Sequence, residues 1–329
     1  MSSAGGDGSI IADRNADEMP PISNRIARRR THFTLTESAV LGLFFIQRYR
    51  FLTVDQFARA AALNRNTAAH QLRNFECHGL LGYFGNTGLR GYGKTPKAYF
   101  LTRKGWEMLV RESDIPPELL GTHKEIKVEA RWSPQMYHRL RTVDLMIFAE
   151  VAVRKRPHLS MVQTFLEYRR VKRGNHIARE TTDFVAREEI AENRIIPDAA
   201  FILENIETKR RGLFFVEMDM ATERIVSHIT RDSRITLHYK ISQYDRYLQS
   251  LRYRQTYAAY GEFRFFTLLF VTLGEQRIEN IRRELGNLPQ ELAAYYRFTT
   301  FDAAMGDFFA PIWKSRLATD STLYPLVRD

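Results

Sequence analysis

Hydrophobic positions recur at helical spacing through the first part of the chain. Over residues 36–48, Val40, Leu43, Phe44 and Gln47 fall on successive turns behind a Thr36 cap. Thr53 and Gln56 form a capping box, in which hydroxyl and amide each satisfy a backbone N–H of the other, so a short second helix is predicted to start there. Residues 61–64 supply a turn. A third helix over 65–78 then points Ala68, Leu72 and Phe75 inward at i, i+4, i+7 and leaves Asn66, His70 and Arg73 outward, until Gly79 stops it. Apolar runs at 80–84 and 98–101 predict a hairpin, and Thr102 opens a fourth helix.

Beyond residue 130 the pattern changes. Ser133-Pro134 caps an amphipathic helix over 137–154 with Leu140, Val143, Ile147 and Val151 on one stripe. Strand-like runs follow at 161–168, 195–203, 212–219 and 264–273. Leu237, Ile241, Tyr244, Leu248 and Leu251 mark a long helix between the last two, and 276–285 reads as another. Helices interleaved with strands predict an α/β domain with a mixed sheet. The charged stretch 175–193 is expected to be a loop. The expected organisation is a leader with a basic end at 1–33, a first domain of helices and a hairpin at 34–112, a linker at 113–132, an α/β domain at 133–310 and a tail at 311–329.

Composition narrows the chemistry. The chain has 329 residues and one cysteine, Cys77, which excludes an internal disulfide and a zinc site built of several thiolates. The longest apolar run, 265–273, is about half of a membrane crossing, and the N-terminus lacks a signal-peptide pattern, so a cytoplasmic protein with no membrane partner is expected. The formal net charge is +11, and residues 34–112 carry +6 of it. Concentrated there, the charge points to a polyanion.

Two helices joined by a tight turn, with a polar outer face on the second, match the reading unit of a helix-turn-helix. Arg65, Asn66, His70 and Arg73 are therefore the candidates for contact with double-stranded DNA. The hairpin tip carries Arg90, Lys94 and Lys97 among four glycines, as suits a wing lying against phosphates. The same unit also suits protein contact. A homodimer would follow from paired half-sites, and other transfer or replication proteins are further candidate partners.

In the second domain, Pro197-Asp198 is followed nineteen positions after the Asp by Glu217-Met218-Asp219. A hairpin turning at 207.5 or 208.5 brings Asp198 opposite 217 or 219, on one face; a slip of one residue sends it to the other. Three acids closing two apolar strands call for a cation, and Mg2+ or Mn2+ held by Asp198, Glu217 and Asp219 is the expectation. The alternative is that these acids merely end strands or pair with arginines.

Taken in order, several short motifs resemble the replication-relaxation proteins of plasmids and integrative elements. They are the Thr36-capped first helix, Tyr99-Phe-Leu-Thr-Arg-Lys-Gly105, His138-Arg-Leu, Ile196-Pro-Asp-Ala199, Phe215-Val-Glu-Met-Asp219 with Thr222-Glu223, and Lys240 with Tyr244. The resemblance implies a winged helix-turn-helix followed by a PD-(D/E)xK nuclease-like domain. It also implies action in plasmid relaxation, replication or mobilisation, with metal-dependent nicking by Asp198, Glu217, Asp219 and Lys240. A catalytically inert regulator or origin-binding factor is the alternative. The chain departs from the nuclease pattern at Asp219, where the water-activating lysine would stand. Lys240 could replace it from the next helix, Asp219 could serve a second metal, or the site could be inert. Tyr244 and Tyr247, considered as nucleophiles, read better as core.

Overall fold

A computed structural model describes residues 35–84, 96–116, 120, 123, 125–126, 134–173, 176–221, 223–226 and 236–327, without the side chains at 134, 172, 173 and 176. The leader, Arg90, Lys94, Ser133 and Thr222 lie outside the described residues.

The local signals at the start of the chain form as expected. Thr36 accepts from Ala39 N at the start of α1 (Glu37–Tyr49). The Thr53–Gln56 capping box opens α2 (Val54–Ala60), and Asn64 caps α3 (Arg65–Cys77) by accepting from Thr67 N. Gly79, at φ 68°, occupies the left-handed position after α3, and Leu80 N bonds back to Phe75 O at 2.9 Å. β2 (Leu81–Phe84) pairs antiparallel with β3 (Ala98–Leu101). β1 (Leu52–Thr53), too short to show any alternation, adds to the free edge of β3.

Thr102 caps α4 (Arg103–Glu112) and also donates to Gly79 O at 2.8 Å, tying the end of α3 to the start of α4. Gly105 packs directly against Leu80; a Cβ there would lie 2.1 Å from the Leu80 carbonyl oxygen. Only glycine permits that approach.

The second half is a seven-stranded mixed sheet in the order β14-β13-β12-β11-β10-β9-β4. Its strands are β4 (Leu159–Leu166), β9 (Ala199–Asn205), β10 (Arg210–Asp219), β11 (Phe266–Thr272), β12 (Tyr296–Thr300), β13 (Trp313–Lys314) and β14 (Leu323–Tyr324). β10, β11 and β12 run parallel; the other neighbours are antiparallel. One face, with Phe201, Phe214, Val216 and Val271, packs on α5 (Pro134–Arg154) and α9 (Phe301–Gly306). The other, with Ile202, Phe215, Leu268 and Phe270, packs on α6 (Leu237–Ser250) and α8 (Glu275–Glu284). Both faces being covered explains the near-continuous apolar runs of the central strands.

The two halves share one hydrophobic cluster, in which residues of α1 to α4 continue into Val143, Met146 and Ala149 of α5. Polar contacts cross the same junction: Arg48 bonds Glu150 at 2.6 Å and Thr164 at 2.8 Å, and Gln56 donates to Leu140 O at 2.9 Å.

Four expectations change. Residues 175–193 hold β6 (His176–Arg179), paired with β5 (Arg170–Arg173), and β7 (Asp183–Phe184), paired with β8 (Arg194–Ile195), where charged alternation concealed short strands. The strand expected over 195–203 breaks into β8 and β9 around Pro197, which has no N–H for a ladder. The expected tail at 311–329 supplies β13 and β14, each of two residues and so without a readable period. Leu251 lies beyond the end of α6, as a left-handed cap at φ 57°, 41% exposed.

Candidate functional site

The β9–β10 hairpin sets the site. Its register pairs Ala199 with Val216 and Ala200 with Phe215. These pairs centre the turn at 207.5, the first of the two expected registers, and the ladder ends there, just before Asp198 and Glu217. Asp198 N donates to Val216 O at 3.1 Å, and Met218 N returns a bond to Asp198 Oδ2 at 2.8 Å. The acid is thus fastened to the neighbouring strand through both backbone and side chain.

Glu217 faces α6 and is almost fully enclosed, with 2% of its side chain exposed. Tyr244 donates to Oε1. Oε2 has no aligned hydrogen-bond donor but faces Lys240 Nζ at 2.6 Å. Lys240 sits in the first turn of α6, where Thr236 caps the helix, so the helix start delivers an ammonium to the end of the sheet. His138, in the first turns of α5, closes the other side: Nε2 lies 2.7 Å from Met218 O and 3.3 Å from Asp198 Oδ2. A carbonyl only accepts, so Nε2 carries the proton.

The charges follow from this packing. Burial opposes protonation of His138, but the Asp198 carboxylate and the Met218 carbonyl outweigh it and lift the imidazole to about 9. Burial raises Asp198, yet His138, Lys240 and the Met218 N–H together hold it below the usual carboxylate range. Glu217 is displaced upward, by burial first and then by Asp198, against the pull of Lys240 and Tyr244. Burial disfavours the Lys240 ammonium, but Glu217, Asp198 and Glu223 more than compensate and keep it protonated. Burial and the neighbouring Glu217 push the Tyr244 phenol well above its ordinary value, so it is a donor and not a nucleophile. Tyr247 is likewise core and bonds Asp183.

Asp219 belongs to a different pair. Arg277, from α8, grips it at 2.8 Å through Nε and 3.4 Å through Nη2, and Ala221 N donates to its Oδ1. The expected cluster of three acids therefore resolves into Asp198 and Glu217 around Lys240, with Asp219 neutralised by arginine. Among the described residues no three His, Cys, Asp or Glu side chains are grouped as metal ligands. A cavity of about 30 Å3, enough for a water molecule or small ion, is lined by His138, Glu217, Asp219, Glu223, Lys240 and Phe270.

On α3, Asn66, His70 and Arg73 are exposed on the outer face, as the periodicity predicts, and Arg65 is exposed while paired with Asp55 at 2.8 Å. Lys97 bonds Glu76 at 3.0 Å and lies 3.4 Å above the Tyr83 ring, so it fastens the hairpin base to α3. His138 and Arg277 were not among the expected site residues. The first appeared only inside a motif, and the second lies far along the chain from the acid it serves.

These features define an α/β protein with a helical N-terminal unit and a carboxylate–lysine site at the carboxyl end of a mixed sheet. The sequence model of the replication-relaxation family matches residues 43–262, more than half of the chain, and the chain belongs to that family. Membership ties it to the replication or relaxation of mobile elements. No curated protein and no solved structure matches it. No helix among the described residues is long and apolar enough to cross a membrane.

Proposed function

We propose that this chain binds a specific duplex through a winged helix-turn-helix at residues 34–112 and nicks one strand with a PD-(D/E)xK-like site, in the relaxation or mobilisation of plasmid DNA. The observation that carries the reading is Lys240 Nζ, 2.6 Å from Glu217, with Asp198 accepting at 2.8 Å from N of the adjoining Met218. Lys240 thereby supplies from α6 the ammonium missing at position 219. Recognition falls to Asn66, His70 and Arg73 on the outer face of α3, together with Arg65.

The donor set suits Mg2+ or Mn2+, which bind through one or two carboxylates and keep waters for substrate. Asp198 and the unaligned Oε2 of Glu217 are the atoms that would hold it. Bound there, it would supply Lewis-acid stabilisation of a phosphoryl group. Lys240 remains protonated, so its role is to donate to a phosphate oxygen as charge develops. His138 holds Asp198 in place. Water adds to phosphorus, the P–O bond to one sugar breaks, and the water's proton passes to the departing sugar oxygen.

The test is supercoiled cognate plasmid with protein and Mg2+. Open-circle product is expected from the native chain and at least a hundredfold less from Glu217→Gln and Lys240→Met, consistent with loss of one preorganised charge. Nicking that survives both changes removes this site. Tight, specific binding with no product from the native chain would favour an inert regulator or origin-binding factor.

A further inference from the structure

Arg50 is the central residue of a γ-turn between α1 and β1. Its φ is 63° and ψ −37°, and Phe51 N bonds Tyr49 O at 2.7 Å across it. This positive-φ turn is rare and strained, and a residue with a Cβ is poorly suited to it. The side chain lies half-buried, its guanidinium 5.6 Å from the Phe51 ring centroid and 3.4 Å from Tyr168 O.

Arg139 and Arg170, also half-buried, meet the same short segment: Arg139 Nε lies 3.5 Å from Oε2 of Glu167, the residue before Tyr168, and Arg170 is two residues beyond Tyr168. Burial first, then Arg139 and Arg170, pull the Arg50 guanidinium below its ordinary range. Nearby carboxylates are already committed: Glu150 to Arg48, Glu180 to Arg169, and Glu167 to both Arg139 and Arg179. Among the described residues no acid pairs with Arg50 or Arg170. The sequence from 169 to 179 contains no acid at all. Strain and like-charge repulsion have thus been accepted together at one spot, and an anion would relieve the second.

The spot adjoins the carboxylate site. Arg139 follows His138, and Glu167 N donates to Asp198 O at 3.0 Å. We infer that Arg50, Arg139 and Arg170 form a phosphate-binding surface that holds the DNA backbone beside Asp198 and Glu217. This rests on the proposed DNA-binding reading and adds a second grip, away from the outer face of α3. Guanidinium clusters suit phosphate because each presents a planar fork of donors.

The test uses the full chain and a short fluorescent duplex of random sequence, with anisotropy titrations over a series of salt concentrations. Arg50→Gly removes the cation and relieves the γ-turn, so it should melt no lower than the native chain. Combined with Arg170→Gln, it is expected to reduce the slope of log K against log salt by about 1.8, the value for two phosphate contacts. Arg73→Ala on α3 serves as the control for the reading itself. A slope unchanged in the double variant, with Arg73→Ala still reducing it, overturns the surface and leaves the helix-turn-helix standing. A native slope near zero overturns both.

Discussion

Replacing Arg277 by Leu tests whether Asp219 is a structural anion or a metal ligand. The Asp219 side chain is 2% exposed and Arg277 19% exposed, and the two are joined at 2.8 Å. Removing one partner of such a pair strands a buried charge, which typically costs about 3–5 kcal/mol. Arg277 is not wholly enclosed, so the lower figure applies, roughly 3 kcal/mol, or a fall in Tm of about 4 °C for a chain of this size. Adding Asp219→Asn to the Arg277→Leu chain should recover much of the loss, since no unpaired charge is then left buried. The assay is reversible urea denaturation of the four chains of this double-mutant cycle, with and without millimolar Mn2+. A single-variant loss below about 1 kcal/mol would contradict the pairing. So would full rescue by Mn2+, since the freed carboxylate would then be behaving as a ligand.

Other outcomes follow from the same contacts. Gly105→Ala drives a Cβ to 2.1 Å from Leu80 O, so a loss of about 3 kcal/mol is expected in a chemical melt. Thr53→Ala, which removes the hydroxyl half of the capping box, should cost about 1 kcal/mol by the same assay. His138 has a folded-state value of about 9 against 6.5 when unfolded, so its contribution is complete below pH 6.5 and disappears as pH rises through 9. Since a shift of one unit is worth about 1.4 kcal/mol and the ring is partly exposed, roughly 2–3 kcal/mol should be lost across that window. Glu217, also displaced upward, acts in the same direction. A His138→Gln chain should show a flatter pH–stability curve; an equally steep one would contradict the assignment.

How much of this was legible in advance depended on range. Thr36, Thr53 with Gln56, and Gly79 act on backbone atoms within five residues, and each does what its local pattern predicts. The hairpin register was narrowed to two choices by the acids themselves, because strand alternation permits no other way for Asp198 to face Glu217. The short strands β13 and β14 were illegible, since two residues have no period and the sheet beside them supplies the reason for their shape. Arg277 was illegible for a related reason: fifty-eight residues separate it from Asp219, and only the packing of α8 against the parallel strands makes them neighbours. The lysine was found as a candidate through resemblance, while its contact with Glu217 depends on where Thr236 starts α6.

The most direct measurement of the central claim is anomalous diffraction from a crystal soaked in Mn2+. The account predicts a single peak between the carboxylates of Asp198 and Glu217, with Arg277 still closed on Asp219. A peak on Asp219 with Arg277 displaced, or none beside Asp198 at saturating Mn2+, would contradict it.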